Sequence, residues 1–168
     1  MKVESSSFSG FTFAQRIPKD GNSEIQVIQP EGVDVDPEGN LYVNDIEPNR
    51  IIKFSENGTY ILSWGSTGSN DGQFNHPHGN EVDQDGNVYI TDQNNGRIQK
   101  FTSDGQFIAA WGTTGDGRDQ FSQPEGIDVD DSGQIYVADT GNNRVKVFAS
   151  AAVPTNTTSA LTIAATDT

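Results

Sequence analysis

The chain has 168 residues, of which 24 are Asp or Glu and 10 are Lys or Arg, so its formal net charge is −14. This charge repels phosphate backbones and anionic lipids, and we expect neither nucleic acid nor a membrane surface as a partner. Cysteine is absent, which excludes a disulfide framework, a thiolate nucleophile and a cysteine-ligated zinc module.

Residues 1–10 are small and polar, and we predict a disordered N terminus there. They contain no apolar stretch of the length that a signal peptide needs, and no window of the chain is apolar enough to span a membrane. We therefore expect a soluble protein, and the sequence leaves its compartment undetermined.

Residues 11–29 are predicted to form an isolated outer strand followed by a linker. The chain repeats one pattern at a spacing of 47 residues, which three glycines mark: Gly32, Gly79 and Gly126. Ile17 stands one such period before Trp64, and both residues end a β-prone run. The run from Phe11 to Ile17 therefore looks like the last strand of a repeat whose first part is missing.

Three copies of one repeat make up most of the chain. They occupy residues 30–76, 77–123 and 124–158. Short β-branched and aromatic runs separated by turn residues predict four strands in the first copy. The predicted strands are residues 32–36, 41–45, 50–54 and 60–64. No segment of the sequence has the pattern of a helix.

The second predicted strand of each copy is apolar on consecutive residues, as in Val88-Tyr89-Ile90, which predicts a strand covered on both faces. A glycine before this strand supplies the positive φ of a tight hairpin. These glycines are Gly39, Gly86 and Gly133. Four-stranded sheets that repeat every ~40–50 residues and pack face to face are the blades of a β-propeller. We predict an all-β fold of three such antiparallel blades, with a solenoid as the alternative.

Two Gly-rich segments, residues 65–76 and 112–123, connect the copies. Each carries one aromatic residue, Phe74 or Phe121, which we predict to fill the space between blades. The pattern fails after the third strand of the last copy. Residues 159–168 form an Ala-, Thr- and Ser-rich tail that we expect to be loose.

The third copy reads PEGIDVDDSGQIYVADTGNNRVKVF and closely resembles the NHL repeat, and the resemblance covers residues 30–148. It implies a propeller, often six-bladed, that binds proteins, RNA or small ligands on one rim, although the charge disfavours RNA here. Residues Pro77-His78 and 92–99 are also similar to NHL-type amidating lyases, which cleave peptidyl hydroxyglycine. In those enzymes histidines after such prolines bind zinc, and here only His78 matches.

One residue between Pro and Gly opens each predicted inner strand: Glu31, His78 or Glu125. In a propeller these side chains converge at the mouth of the central channel, where imidazole and carboxylate groups are able to hold zinc or calcium. We predict no cofactor and interpret the three residues as polar rim residues that face water, with a zinc or calcium site as the alternative. Asn80 replaces an apolar residue of the other copies, so we add it to this predicted ligand- or partner-binding rim.

His76 lies two residues before His78 and would share its face in an extended segment. A two-histidine clip is one interpretation of this spacing. A structural role is favoured, because Pro77 constrains the geometry and neither other copy has a second histidine.

Acidic runs before each hairpin glycine superficially match calcium loops. Both flanks of these runs are predicted strands, and the central valines are expected to be buried. The valines are Val35, Val82 and Val129. We therefore expect the last Asp of each run to accept hydrogen bonds from its own turn. These residues are Asp36, Asp83 and Asp130.

Another Asp recurs five residues before an Arg in every copy. The pairs are Asp45–Arg50, Asp92–Arg97 and Asp139–Arg144. A carboxylate before a loop and a guanidinium after it meet across the base of the loop. Because the pair recurs in every blade, we predict a structural clasp rather than a ligand site.

No complete catalytic set is recognisable, so we predict a binding scaffold that uses its loop rim to bind a protein or small ligand. The alternative is a metal-dependent lyase or lactone hydrolase with its site at the channel mouth. Three blades leave two open edges, whereas propellers close with ~4–8 blades. The sequence therefore predicts either further blades in a longer protein or two copies in a six-bladed ring, with residues 11–17 completing the partner's third blade.

Overall fold

The computed structural model describes residues 7–8, 11–12, 17 and 25–149 of the chain. In these residues the chain forms short β-strands joined by turns, and its two helical segments are single 3-10 turns. The structure confirms the predicted all-β class. No helix in the described part of the chain is long and apolar enough to cross a membrane.

A two-stranded ladder, β1 (Ser7–Phe8) with β2 (Phe11–Thr12), precedes three antiparallel sheets that we call blades 1 to 3. Blade 1 consists of β3 (Pro30–Val35), β4 (Leu41–Asp45), β5 (Arg50–Phe54) and β6 (Tyr60–Trp64). Blade 2 consists of β7 (Pro77–Val82), β8 (Val88–Asp92), β9 (Arg97–Phe101) and β10 (Phe107–Trp111). Blade 3 consists of β11 (Pro124–Val129), β12 (Ile135–Asp139) and β13 (Arg144–Phe148). The 3-10 turns are η1 (Gln93–Asn95) and η2 (Thr140–Asn142).

The four strands predicted for the first copy are all present, and the inner strand begins at Pro30 rather than at residue 32. Strands pair in chain order within each blade, as expected for a row of hairpins. Blade 3 has three strands within the described residues rather than four. The sequence pattern also fails after Phe148, and residues 150–168 lie outside the described part.

The first strands of the three blades lie side by side as inner strands, with β7 contacting both β3 and β11. Every residue of β8 is buried, which confirms that this second strand is covered on both faces. The valine before the hairpin is 8% exposed in blade 2, where it is Val82. Val35 is 53% exposed, so its predicted burial is wrong. The reason is that burial of this position requires a preceding blade, and blade 1 is the first blade described.

Apolar clusters fill the two junctions between blades. Phe74 joins the blade 1 residues Tyr42 and Ile51 to the blade 2 residues Val82, Val88, Ile90 and Phe101. Phe121 packs with Ile98 of blade 2 and Val137 of blade 3. Both phenylalanines are fully buried, which confirms their predicted position. Complete burial of a side chain of this size contributes about 1.5–3 kcal/mol.

Glycine allows the backbones of adjacent inner strands to approach each other closely. A Cβ atom built on Gly79 would lie 2.2 Å from the carbonyl oxygen of Glu125 in blade 3. The same carbonyl accepts a hydrogen bond of 2.8 Å from Thr91 Oγ1 of blade 2. At the first junction, Gly32 has the same relation to the carbonyl oxygen of His78, at 2.3 Å. The inner strands therefore pack at a spacing that only glycine permits.

The hairpins between first and second strands have the predicted turn chemistry. The backbone N–H of Asn87 donates to Asp83 Oδ1 at 2.8 Å, and Gly86 has a φ of 78°. The hydroxyl of Tyr89 donates to Asp83 Oδ2 at 3.0 Å, a contact that we did not predict. The equivalent carboxylates of Asp36 and Asp130 accept the same pair of hydrogen bonds.

The face of blade 1 opposite blade 2 is partly covered by the chain itself. Ile17 and Val27 pack there against a cluster of Val43, Ile52 and Phe54. One period later in the sequence, Trp64 and Phe74 pack against the cluster of the first junction. The N-terminal segment thus follows the repeat at these two positions.

The predicted outer strand is described only in part. Phe11–Thr12 pairs with Ser7–Phe8, while residues 13–16 lie outside the described residues. The same holds for most of the predicted disordered N terminus, residues 1–10, and for the whole tail, residues 159–168.

We expect Gly79→Ala to lower the free energy of unfolding by about 1–3 kcal/mol, because the added methyl group meets the carbonyl oxygen of Glu125. The matched control is Gly126→Ala, whose added Cβ would lie 3.7 Å from Ala138 of the same chain and should change the stability of the monomer by less than about 0.5 kcal/mol. Urea denaturation followed by tryptophan fluorescence measures both free energies. The protein concentration is kept low enough that further dilution does not change the denaturation midpoint. Equal effects of the two substitutions would contradict the close approach.

Candidate binding rim

One rim of the propeller collects the strand ends that carry the predicted site residues. Pro77 pairs with Asp92 and Asp92 pairs with Arg97, so the start of β7, the end of β8 and the start of β9 lie together. The same register recurs in blades 1 and 3. We call this the loop rim: the starts of the inner strands, the loops after the second strands and the crossings at residues 65–76 and 112–123.

A groove of about 310 Å³ opens on the loop rim where the three inner strands begin. Each blade contributes an equivalent triplet to its lining, at residues 31–33, 78–80 and 125–127. The four predicted rim residues therefore lie at one groove. They are Glu31, His78, Asn80 and Glu125. We call this feature the rim groove.

The carboxylate of Glu31 in blade 1 lies close to two imidazole rings. Its Oε2 is 3.5 Å from His78 Nε2, and its Oε1 is 3.8 Å from His76 Nε2. The two rings are 6.0 Å apart between their centroids. The structure thus brings Glu31 and His78 together and adds His76, for which the sequence favoured a structural role.

Asn80 and Glu125 line the rim groove but also bind other parts of the protein. Asn80 is 7% exposed, and its Nδ2 donates to the carbonyl oxygen of Tyr42 at 3.2 Å. Gln93 Nε2 donates to Glu125 Oε1 at 3.4 Å. Asn80 therefore links blades 1 and 2, and the side chain of Glu125 contacts blade 2 through one carboxylate oxygen.

The predicted metal ligands are His78, Glu31 and Glu125. The structure pairs the first two, whereas the polar contact of Glu125 is with Gln93. Within the described residues, no group of three or more His, Asp or Glu side chains could hold a metal ion. In this geometry the groove offers carboxylate oxygens and imidazole nitrogens to a polar or cationic group.

A second pocket, of about 490 Å³, lies beside the rim groove between the β4–β5 loop and the first crossing. His76 lines this pocket, and its Nδ1 is buried without a hydrogen-bond partner. The backbone N–H of His76 donates to Asn49 Oδ1 at 2.6 Å. Both residues have a positive φ, 63° for His76 and 66° for Asn49. His76 therefore links the pocket to Glu31 of the groove.

The Asp–Arg pairs meet in every blade. Asp92 is fully buried, and its Oδ2 accepts a hydrogen bond of 2.8 Å from Arg97 Nε. Its Oδ1 accepts the backbone N–H of Asn75 at 2.7 Å, and Asn95 Nδ2 donates to both oxygens. Asp45–Arg50 and Asp139–Arg144 form equivalent pairs at 2.9 and 2.8 Å. Each carboxylate thereby joins the second strand to the third strand and to the segment that enters the blade.

Hydrogen bonding determines the ionisation of the clasp carboxylate of Asp139. Burial by itself would raise its pKa, but hydrogen bonds from Asn142, the backbone of Ser122 and Arg144 outweigh burial and hold the pKa below its ordinary value. This stabilisation is present above the unfolded-state pKa of about 3.9 and is lost as pH falls through the folded-state pKa. The Asp139–Arg144 clasp therefore weakens in acid.

One polar contact at the clasp was missed in the sequence. Gln99 is fully buried and donates to Asp92 Oδ2 at 3.1 Å and to the carbonyl oxygen of Gln73 at 2.7 Å. Lys146 holds the equivalent position in blade 3 and donates to carbonyl oxygens of the second crossing. The sequence does carry a signal for this contact. Gln99 and Lys146 are polar residues at a strand position that Ile52 occupies in the first copy.

Three carboxylates from the inner strands interact: Asp34, Glu81 and Asp128. Burial, and then the charges of Asp34 and Asp128, raise the pKa of Glu81 to about 7. Asp34 Oδ2 also accepts the backbone N–H of Val82 at 2.7 Å across the first junction. Ionisation of Glu81 therefore disfavours the packing of the inner strands.

The family model of the NHL repeat matches residues 74–101 and 121–148. These segments contain the first three strands of blade 2 and the three described strands of blade 3. The chain therefore carries NHL repeats at these two positions, which confirms the resemblance drawn from the sequence for the second and third copies.

Solved structures share the β-propeller fold. A catalytically inactive virginiamycin B lyase from Staphylococcus aureus, determined with quinupristin, is 17% identical with a TM-score of 0.56, over 76% of this chain and 43% of that chain. A gluconolactonase from Xanthomonas campestris is 18% identical with a TM-score of 0.50, over 67% of this chain and 35% of that chain. The chain thus spans less than half the length of these structures. No curated protein sequence matches the chain.

We expect Asp92→Ala to lower the free energy of unfolding by about 3 kcal/mol, because Arg97 and the N–H of Asn75 lose a buried acceptor. Thermal and urea unfolding measure the loss. Asp104→Ala, at an exposed turn residue, is the control and should change stability by less than about 0.5 kcal/mol. A loss for Asp92→Ala no larger than for the control would show that the clasp does not stabilise the blade.

The raised pKa of Glu81 predicts a pH dependence of stability. Between the unfolded-state pKa of about 4.3 and the folded-state pKa, only the folded state keeps the proton, so wild-type stability falls as pH rises. Glu81→Gln cannot ionise and should gain on the order of 1–3 kcal/mol over wild type between pH 4.5 and pH 8. Urea denaturation across this range, with the exposed Glu38→Gln as control, would contradict the assignment if both variants followed the wild-type profile.

Proposed function

We propose that this chain is a binding scaffold whose rim groove recognises a cationic group, such as the Lys or Arg side chain of a protein partner. The observation that carries the proposal is the lining of the groove. Glu31 and Glu125 come from blades 1 and 3, and His78 lies between them in blade 2. Neither Lys nor Arg is among the described residues that line it.

Electrostatics supports a cationic ligand over an anionic one. The formal net charge of −14 attracts positively charged partners over a distance of about one Debye length, roughly 8–10 Å at physiological salt. The carboxylate of Glu31 and the neutral form of an imidazole both accept hydrogen bonds from an ammonium or guanidinium group. Attraction at long range and acceptors at short range thus favour the same ligand.

The volume of the rim groove favours a single side chain of a protein partner over an enclosed small molecule as the ligand. Small-molecule sites commonly have volumes of roughly 300–1,000 Å³. The rim groove, at about 310 Å³, is at the lower end of that range. A single basic side chain presented by a protein surface fits this volume, and the surrounding loops of the rim supply the rest of the contact.

A fluorescently labelled hexapeptide with two arginines tests this proposal against a matched peptide with citrulline in their place. We expect saturable binding of the arginine peptide, at least tenfold weaker binding of the citrulline peptide, and loss of affinity with added salt. The double variant Glu31→Gln/Glu125→Gln should weaken binding at least tenfold.

The control for this experiment removes the same number of charges at sites outside the rim groove. Glu38→Gln and Glu56→Gln together remove two charges at the hairpin turns away from the rim groove. We expect this double variant to bind the arginine peptide as wild type does. If it weakens binding as much as the groove variant, the net charge of the chain accounts for the binding, and the proposed site is wrong.

A metal-dependent lyase or lactone hydrolase at the same groove is the second candidate. It is favoured by one observation, the position of Glu31 within 4 Å of Nε2 atoms of both His76 and His78, since zinc prefers such donors. Elemental analysis of the purified protein separates the two candidates. Zinc or calcium at one ion per chain, lost in His78→Ala, would support the enzyme and contradict a role limited to binding.

A further inference from the structure

The row of blades exposes apolar residues at both of its ends. In blade 3, Val145 is 67% exposed and Val147 is 54% exposed. In blade 1, Val33 is 61% exposed and Val35 is 53% exposed. We call these two surfaces the blade 3 open face and the blade 1 open face.

Inside the chain the equivalent surfaces are buried against each other. Ile51 and Ile98 precede Val145 by two periods and one period, and both are fully buried at the internal junctions. Val82 follows Val35 by one period and is 8% exposed. The two open faces are therefore the two sides of one type of junction, which the chain forms twice internally.

The polar and backbone features of that junction are also present on the open faces. At the second junction Gly79 packs against the carbonyl oxygen of Glu125, and the corresponding residue at the blade 3 open face is Gly126. A Cβ on Gly126 would meet only Ala138 within 4 Å. A close approach of two strands requires a residue without a side chain, and Gly126 meets this requirement although no described strand approaches it.

The open faces are more apolar than the internal junctions. Val147 stands where blade 1 has Lys53, whose Nζ donates to the carbonyl oxygen of Ser103 in blade 2 at 3.4 Å. Val33 stands where blade 2 has Asn80, which donates to blade 1. A charged residue and a polar residue of the internal junctions are thus replaced by valine on the open faces. A contact between chains that covers these valines removes apolar surface from water on both sides.

We propose that two copies of this chain associate head to tail, with the blade 3 open face of each copy packed on the blade 1 open face of the other. Propellers close with ~4–8 blades, and two such contacts join two rows of three blades into a ring of six. Val27 and Ile17 of each chain already cover the outer part of its blade 1 face. The partner therefore has to cover only the inner part, where Val33 and Val35 are exposed.

Sedimentation velocity of the full chain from about 1 to 100 μM tests the association. We expect the mass of two chains at the upper concentrations. Val35→Asp on the blade 1 open face and Val145→Asp on the blade 3 open face should each give a monomer with wild-type circular dichroism, because both sites are solvent-exposed within one chain.

A mixture of the two variants tests the head-to-tail arrangement itself. The blade 3 open face of Val35→Asp and the blade 1 open face of Val145→Asp are both unaltered, so the mixture should form a dimer through one intact junction. A contact between identical faces would instead be abolished by only one of the variants, and the mixture would not restore it.

Ile108→Asp is the matched control, because Ile108 is 45% exposed but lies in the middle blade. It should leave the dimer intact. A monomer of the wild-type chain at 100 μM overturns the proposal, and so does loss of the dimer in the control. If an aspartate variant does not fold, Val35→Ser and Val145→Ser replace the pair, and the wild-type mass decides in either case.

Discussion

The blades depend on a carboxylate buried at the end of the second strand. Burial of a charge costs several kcal/mol unless hydrogen bonds and an opposite charge compensate it. Asp92 finds this compensation in Arg97, Asn95, Gln99 and the backbone of Asn75. These donors come from the strand, the loop and the preceding crossing, so the carboxylate is satisfied only when all three are in place. The clasp therefore couples the sheet of each blade to its connection with the blade before it.

The candidate site depends on the same clasp. Asn75, whose N–H binds Asp92, is followed directly by His76. The N–H of His76 in turn donates to Asn49 of blade 1. The backbone before Pro77 is thus fixed from both sides of the junction, and this places His76 and His78 beside Glu31. A structural feature common to all blades therefore positions side chains that occur in only one of them.

Features that depend on residues of a single blade could be predicted from the sequence. Strand bounds followed from turn residues and the period, and the Asp–Arg pairs followed from their spacing across a short loop. Features that require two blades were less accessible. Val35 and Val82 both stand between two acidic residues in the sequence, and the presence of a preceding blade beside Val82 distinguishes their burial. The contact of Glu31 with His76 spans 45 residues and depends on a positive φ at His76, for which the sequence carries no glycine as a signal.

A residue that recurs in every copy serves the fold of every blade, so we look for a specific site among the departures from the repeat. The rim groove contains such departures, with His78 where the other blades have Glu31 and Glu125, and Asn80 where they have apolar residues. In the proposed head-to-tail arrangement, the carbonyl oxygen of Glu31 in the second copy would lie next to Gly126, as the carbonyl oxygen of Glu125 lies next to Gly79. The channel mouth of the ring would then carry four glutamates and two histidines, and its affinity for a cationic group would rise with the number of neighbouring carboxylates.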